Sequence, residues 1–210
     1  MSVIRTNGPS SLRADLNIIA GMITPGARVL DVGCGDGELL DLLARKRNVD
    51  GRGIELSQEG VNACVTRGLS VIQGDADTDL RDYPDDAFDY VILSQTIQAT
   101  WEPREVLTQM RRIARHSIVS LPNFGHWRVR LQLLLGGRMP VTKELGHSWY
   151  DTPNIHLCTL YDFVDLAHEA GFRIDEALSV TGSTSQPIGT VGRRANLFAE
   201  LAVFSMSRQS

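Results

Sequence analysis

Ten residues hold the densest chemistry in this chain: Val29-Leu30-Asp31-Val32-Gly33-Cys34-Gly35-Asp36-Gly37-Glu38. An apolar run containing one acid stops at three alternating glycines, and a Leu-rich helical pattern follows at once. Glycine accepts φ values that other residues resist, and it leaves no Cβ between backbone and ligand. A strand that empties through such a turn into a helix makes a nucleotide-sized cradle at the carboxyl edge of a parallel sheet. Two further acids stand at suitable distances. Glu55, in Gly51-Arg52-Gly53-Ile54-Glu55-Leu56-Ser57, follows Gly35 by 20 residues, where doubly wound folds set a carboxylate on ribose hydroxyls. Asp75, in Leu69-Ser70-Val71-Ile72-Gln73-Gly74-Asp75-Ala76, ends a third apolar run and is placed to accept from an adenine amino group. Alone, Glu55 reads as a solvated strand-end acid and Asp75 as a turn residue; together behind the glycines they read as a binding set.

The spacing argues against a nicotinamide dinucleotide. That fingerprint needs Gly or Ala at its sixth position, and counting from Gly33 the sixth position is Glu38. No Gly-Lys-Ser/Thr follows the glycines, so a P-loop is excluded as well. Asp31, just before the turn, repels a pyrophosphate and favours a cation. S-adenosylmethionine carries a sulfonium and an ammonium and no phosphate. The residues therefore favour it, or its product S-adenosylhomocysteine, with Asp31, Gly33, Gly35, Glu55, Leu56, Asp75 and Ala76 as the cofactor set.

The elements that must position these groups alternate strand and helix. Leu12, Leu16, Ile19 and Ile23 recur at helical spacing up to Thr24-Pro25-Gly26. Strands are expected at 28–32, 88–93, 117–121, 172–180 and 196–205, besides those ending in Glu55 and Asp75. Ser57 is a candidate N-cap, Pro103 opens a helix running to about Arg115, and another covers 160–170. This serial order predicts an α/β, doubly wound, Rossmann-like sheet, mostly parallel, with the last two strands as an antiparallel hairpin at one edge. Ser94 and Gln95, closing the fourth strand, would face the reaction side.

Length and composition set the bounds. The 210 residues, 42% hydrophobic and 22% charged, suit a single domain over 1–210. A net charge of −4 gives no electrostatic reason to expect nucleic acid. No apolar stretch reaches the ~20 residues of a membrane span, and residues 1–11 lack a signal-peptide core. Cys34, Cys64 and Cys158 are odd in number and form no Cys-x-x-Cys pair, which suggests reduced thiols in a cytoplasm and no metal site.

The glycine run, Glu55, Gly74-Asp75 and the β-α order resemble class I S-adenosylmethionine-dependent methyltransferases over almost the whole chain. More narrowly, the chain resembles the methionine biosynthesis protein MetW family. The specific segments are Phe88-Asp89-Tyr90-Val91-Ile92-Leu93-Ser94-Gln95-Thr96-Ile97-Gln98, Ile118-Val119-Ser120-Leu121-Pro122-Asn123-Phe124-Gly125-His126-Trp127, Gly137-Arg138-Met139-Pro140-Val141-Thr142 and Trp149-Tyr150-Asp151-Thr152-Pro153-Asn154-Ile155-His156. Leu145-Gly146-His147 departs from the family's expected Leu-Pro-aromatic. The resemblance implies a place in methionine biosynthesis and support of the homoserine O-acyltransferase of that pathway, with bound S-adenosylmethionine reporting the end product. The competing expectation is an active methyltransferase on a small molecule.

An acceptor or partner region is expected in the insert 123–159, which holds Asn123, His126, His147, Trp149, Tyr150, Asp151, Asn154 and His156. His156 and Tyr150 are the candidate bases; the plainer alternative is a capped turn around Pro153. A nucleic-acid acceptor is disfavoured, because Ser94-Gln95-Thr96-Ile97 lacks the prolines and aromatic that grip a flipped base. The stretch from Trp127 to Leu135 is too apolar for one buried stripe. Trp127, Leu131, Leu134 and Leu135 are expected to face the domain, leaving Val129 and Leu133 for an interface with a second copy or with the acyltransferase.

Overall fold

The computed structural model describes residues 14–142, 145–182 and 184–209; Leu12 and the polar start of the chain lie outside them. Five parallel strands come first: β1 (Arg28–Val32), β2 (Asp50–Glu55), β3 (Ser70–Gln73), β4 (Phe88–Ser94) and β5 (Ala114–Pro122). Three antiparallel strands follow: β6 (Phe172–Thr181), β7 (Thr184–Pro187) and β8 (Leu201–Arg208). They form one sheet in the order β3-β2-β1-β4-β5-β8-β6-β7. The order reverses between β1 and β4, so a crevice opens there beyond the carboxyl ends of the strands.

Alternation along the central strands sorts side chains to two cores. Val29, Ile92, Ile118 and Val203 meet α1 (Ala14–Met22) and α2 (Glu38–Arg47) through Leu16, Ile19, Leu39 and Leu43. On the other face Leu30, Val91, Val119 and Phe204 meet α4 (Pro103–Ile113) and α6 (Leu160–Glu169) through Leu107, Met110 and Phe163. Because both faces are covered, these strands read as continuous apolar runs. α3 (Gln58–Thr66) starts where expected: the Ser57 hydroxyl accepts from the Gly60 N–H. Among the described residues no helix is long and apolar enough to cross a membrane.

Two expectations need correction. Residues 196–205 are not one strand, since α7 (Arg193–Phe198) occupies the first part and β8 begins only at Leu201. A buried Asn196 explains the break: its Oδ1 accepts from the Leu160 N–H, which fixes α7 against α6. β6 and β8 do pair antiparallel, but β8 lies inside the sheet and the edge hairpin is β6–β7. The second correction concerns α5 (Trp127–Gly136): Leu133 is uncovered as expected, but the face expected to pack on the domain is exposed and Val129 is buried. That exposed face is Trp127, Leu131, Leu134 and Leu135.

Candidate functional site

The crevice at the β1/β4 switch is built around the glycine turn. Gly33 (φ +71°) and Gly35 (φ +57°) both take left-handed backbone, and they differ in what surrounds them. A Cβ on Gly33 would lie 2.5 Å from Thr96 Cγ2, so its hydrogen is needed for the turn to pack on the segment after β4. A Cβ on Gly35 would meet nothing within 4 Å. That open space beside exposed backbone is where a ligand can approach closely.

Glu55 faces the same turn. Its Oε2 accepts from the Gly35 N–H at 2.9 Å, and Oε1 accepts from the Ser57 N–H and hydroxyl at 2.9 and 2.8 Å. An ionised carboxylate offers about four acceptor positions, so capacity remains for an incoming hydroxyl. The Ser57 hydroxyl also accepts from the Gly60 N–H, so one side chain caps α3 and steadies the Glu55 carboxylate. Leu56, next to this carboxylate, is 66% exposed. Asp31 is buried on the α1/α2 side of β1, behind the turn.

Asp75 and Ala76 are half-buried on a loop tied by carboxylates. Asp79 Oδ2 accepts from the Asp75 N–H, and Asp75 Oδ1 accepts from the Asp77 N–H. The Thr78 hydroxyl and the Asp75 N–H hold the Asp79 carboxyl below its usual range. Asp77, which the sequence did not single out, takes the N–H groups of Trp101 and Glu102 and so fixes the start of α4 to this loop.

At the end of β4, Gln95 adopts φ +57° without being glycine. Such strain at a crevice points toward function. Its side chain donates to Asp15 Oδ2 at 3.0 Å, and the Ser120 hydroxyl donates to the same oxygen at 3.1 Å. Asp15 lies buried on α1 amid Leu16 and Ile19, and an acid on that apolar face was the only signal that could have found it. Ser94 is half-buried beside Gln95.

The insert divides into structural and exposed parts. Asn123 is buried, donates to the carbonyls of Asn196 and Ala199, and accepts from the Gly125 N–H, so its amide is occupied in fixing the chain. His126 caps α5, its Nδ1 accepting from the Arg128 N–H, and burial holds its pKa below the ordinary value. Trp149 and Tyr150 are exposed and stack edge to face at 5.7 Å, with Asp151 exposed beside them. Asn154 is half-buried. The Gln98 carbonyl accepts from the N–H groups of Ile155 and His156, and His156 Nε2 lies 3.3 Å from the Trp101 carbonyl. His156 is thereby set against the turn after β4, whereas among the described residues no hydrogen bond or ring contact joins Tyr150 to that turn. Cys34 and Cys64 pack at 3.9 Å with their thiols pushed up by burial, which makes them poor nucleophiles. Among the described residues no cluster suits a metal ion.

The family described as methionine biosynthesis protein MetW matches residues 13–206 of the chain. The bifunctional methionine biosynthesis protein MetXA/MetW of Rhodopirellula baltica is 34% identical over 209 residues, 95% of this chain and 33% of that protein. The chain spans about a third of the length of the curated relatives it matches. A SAM-dependent methyltransferase of Thermotoga maritima superposes with a TM-score of 0.68 at 17% identity, over 93% of this chain and 88% of that one. The [4+2]-cyclase SpnF superposes with a TM-score of 0.66 at 19% identity, over 98% and 86%. At such identities the likeness establishes the class I methyltransferase fold and leaves the reaction open.

Proposed function

Because the chain belongs to the MetW family of methionine biosynthesis proteins, we propose that it binds S-adenosylmethionine at the β1/β4 crevice and supports the homoserine O-acyltransferase of that pathway. The observation that carries the cofactor reading is the Glu55–Gly35 clamp around an open approach to the glycine backbone. The residues fit the group chemically. Gly35 admits the methionine half, Asp31 supplies negative potential to its cationic end, and Glu55 accepts from the ribose hydroxyls. Leu56 covers the adenine, and Asp75 and Ala76 meet its edge. When bound, this cofactor supplies a methyl group on a sulfonium; the chain itself orients that end beside Ser94 and Gln95.

Support for the partner is the Rhodopirellula baltica relative, whose name joins MetXA to MetW in one polypeptide. A cofactor that bound the complex more tightly than the free protein would report the pathway's end product to an early enzyme. The test is to mix the purified chain with the acyltransferase and measure association and acylation rate with and without S-adenosylmethionine. Unchanged affinity and rate would remove the accessory role.

A second reading rests on His156, held against the turn after β4 by Gln98. There it could take a proton from a small acceptor lined up with the sulfonium, and positioning would supply most of the rate. Release of S-adenosylhomocysteine on addition of pathway metabolites distinguishes this reading from the first.

A further inference from the structure

Beyond β5, level with its carboxyl end across β8, lies a cleft that the cofactor reading does not use. It measures about 670 Å³, within the usual range for small-ligand sites. Its floor is one face of the β6–β7 hairpin. Ser179 pairs with Gln186 and Thr181 with Thr184, so the four polar side chains point the same way. The three hydroxyls donate to backbone carbonyls: Ser179 to Gln186, Thr181 to Phe198, and Thr184 to Thr181. Their lone pairs are left as acceptors for a ligand's own hydroxyls.

The walls carry charge and aromatic surface. Trp127 and Arg128 of α5 stand on one side, with the guanidinium 5.4 Å over the indole. Arg194 and a 56%-exposed Phe198 of α7 stand on the other. Glu200 is 3.8 Å from Arg128 and accepts from the Gly182 N–H. Arg194 makes no ion pair or side-chain hydrogen bond among the described residues. With two arginines against one glutamate, the lining is net positive and one planar fork is uncommitted.

β6 stands three strand positions from β4, or about 14 Å at the usual strand spacing. A methyl acceptor must come within about 3–3.5 Å of the donor, so the hairpin floor of this cleft stands out of a methyl donor's reach. The cleft is not a strand-addition site, because the lining is the hairpin's face and not its free edge.

We propose that this cleft is a second ligand site, taking a nucleoside phosphate. The phosphate meets Arg194 and Arg128, the ribose hydroxyls donate to the Ser179, Thr181 and Thr184 oxygens, and the base lies against Trp127 or Phe198. This site stands independently of the cofactor reading.

Calorimetry on the whole chain with ADP, adenosine, inorganic phosphate and a short poly-glutamate peptide tests it. ADP is expected to bind, adenosine about tenfold or more weaker, and Arg194→Ala to weaken ADP about tenfold or more, since a charge-assisted hydrogen bond is lost. Glu55→Ala is expected to leave ADP binding unchanged. No heat with millimolar ADP would overturn the proposal. So would ADP binding that survives Arg194→Ala and disappears in Glu55→Ala, which would locate it at the glycine turn. Binding of the peptide in place of ADP would overturn the ligand class.

Discussion

The backbone N–H of Gly35 donates to Glu55 Oε2 at 2.9 Å, so the acid that ends β2 also holds the turn that ends β1. The two strands are parallel neighbours, with Asp31 opposite Gly53 and Val32 opposite Ile54. Their carboxyl ends therefore arrive side by side, and one side chain spans them. A single carboxylate thus shapes the cradle and remains available to whatever enters it.

Glu55→Ala is expected to weaken S-adenosylmethionine binding by about 1–3 kcal/mol, because ribose hydroxyls would lose an ionised acceptor. Glu55→Gln keeps one acceptor oxygen and should fall between. Titration calorimetry reads both; a dissociation constant unchanged in Glu55→Ala removes the ribose assignment.

Gly33 and Gly35 should separate stability from binding. In Gly33→Ala the left-handed φ is strained and the new Cβ lies 2.5 Å from Thr96, so the fold should lose on the order of 1–3 kcal/mol. In Gly35→Ala only the φ is strained, since nothing lies within 4 Å of the Cβ. Its melting temperature should fall less than that of Gly33→Ala, and its cofactor affinity should fall more, because the methyl occupies the ligand's approach. Thermal denaturation beside calorimetry gives the two orders; identical orders would mean that the open space is not the approach.

The glycine turn was legible in the sequence because its physics is local: φ > 0 favours glycine, and the apolar run before it marks a strand. Ser57 and Pro103 began helices where their chemistry predicts. Long-range partners were not legible. Nothing local to Leu201 says that β8 inserts between β5 and β6, and only Asn196 reaching Leu160 explains why an apolar run begins as α7. Asp15 and Asp77 escaped for the same reason, since each takes its partners from an element distant in sequence.

His126 should make the α5 region sensitive to mild acid. Burial lowers its pKa from the ordinary value of about 6.5, with Glu200 opposing and Arg128 reinforcing the shift. The unfolded chain then binds the proton more readily than the folded one. Stability is unaffected above the unfolded value, falls as pH drops through about 6.5, and levels off below the folded value. Protonation also removes the Nδ1 acceptor for the Arg128 N–H. His126→Asn keeps a capping oxygen without titrating, so its melting temperature between pH 7.5 and 5.5 should change less than that of the unaltered chain. Parallel curves would assign the pH dependence to other groups.

The exposed face of α5 is apolar. Leu134 and Leu135 are 79% and 76% exposed, and Met139 and Val141 extend the apolar surface beyond the helix. Side chains so exposed contribute little to folding, and glutamine keeps most of leucine's helix propensity. Leu134→Gln with Leu135→Gln should therefore change stability by less than about 1 kcal/mol, visible as an unshifted denaturation midpoint. Under the proposed accessory role this face is the contact surface for another protein. The double variant should recover about tenfold less acyltransferase on co-purification, or sediment with less self-association where a second copy is the occupant. If both measurements match those of the unaltered chain, α5 is not the contact surface. A lowered midpoint would instead mean that the leucines pack within this chain, contrary to their exposure.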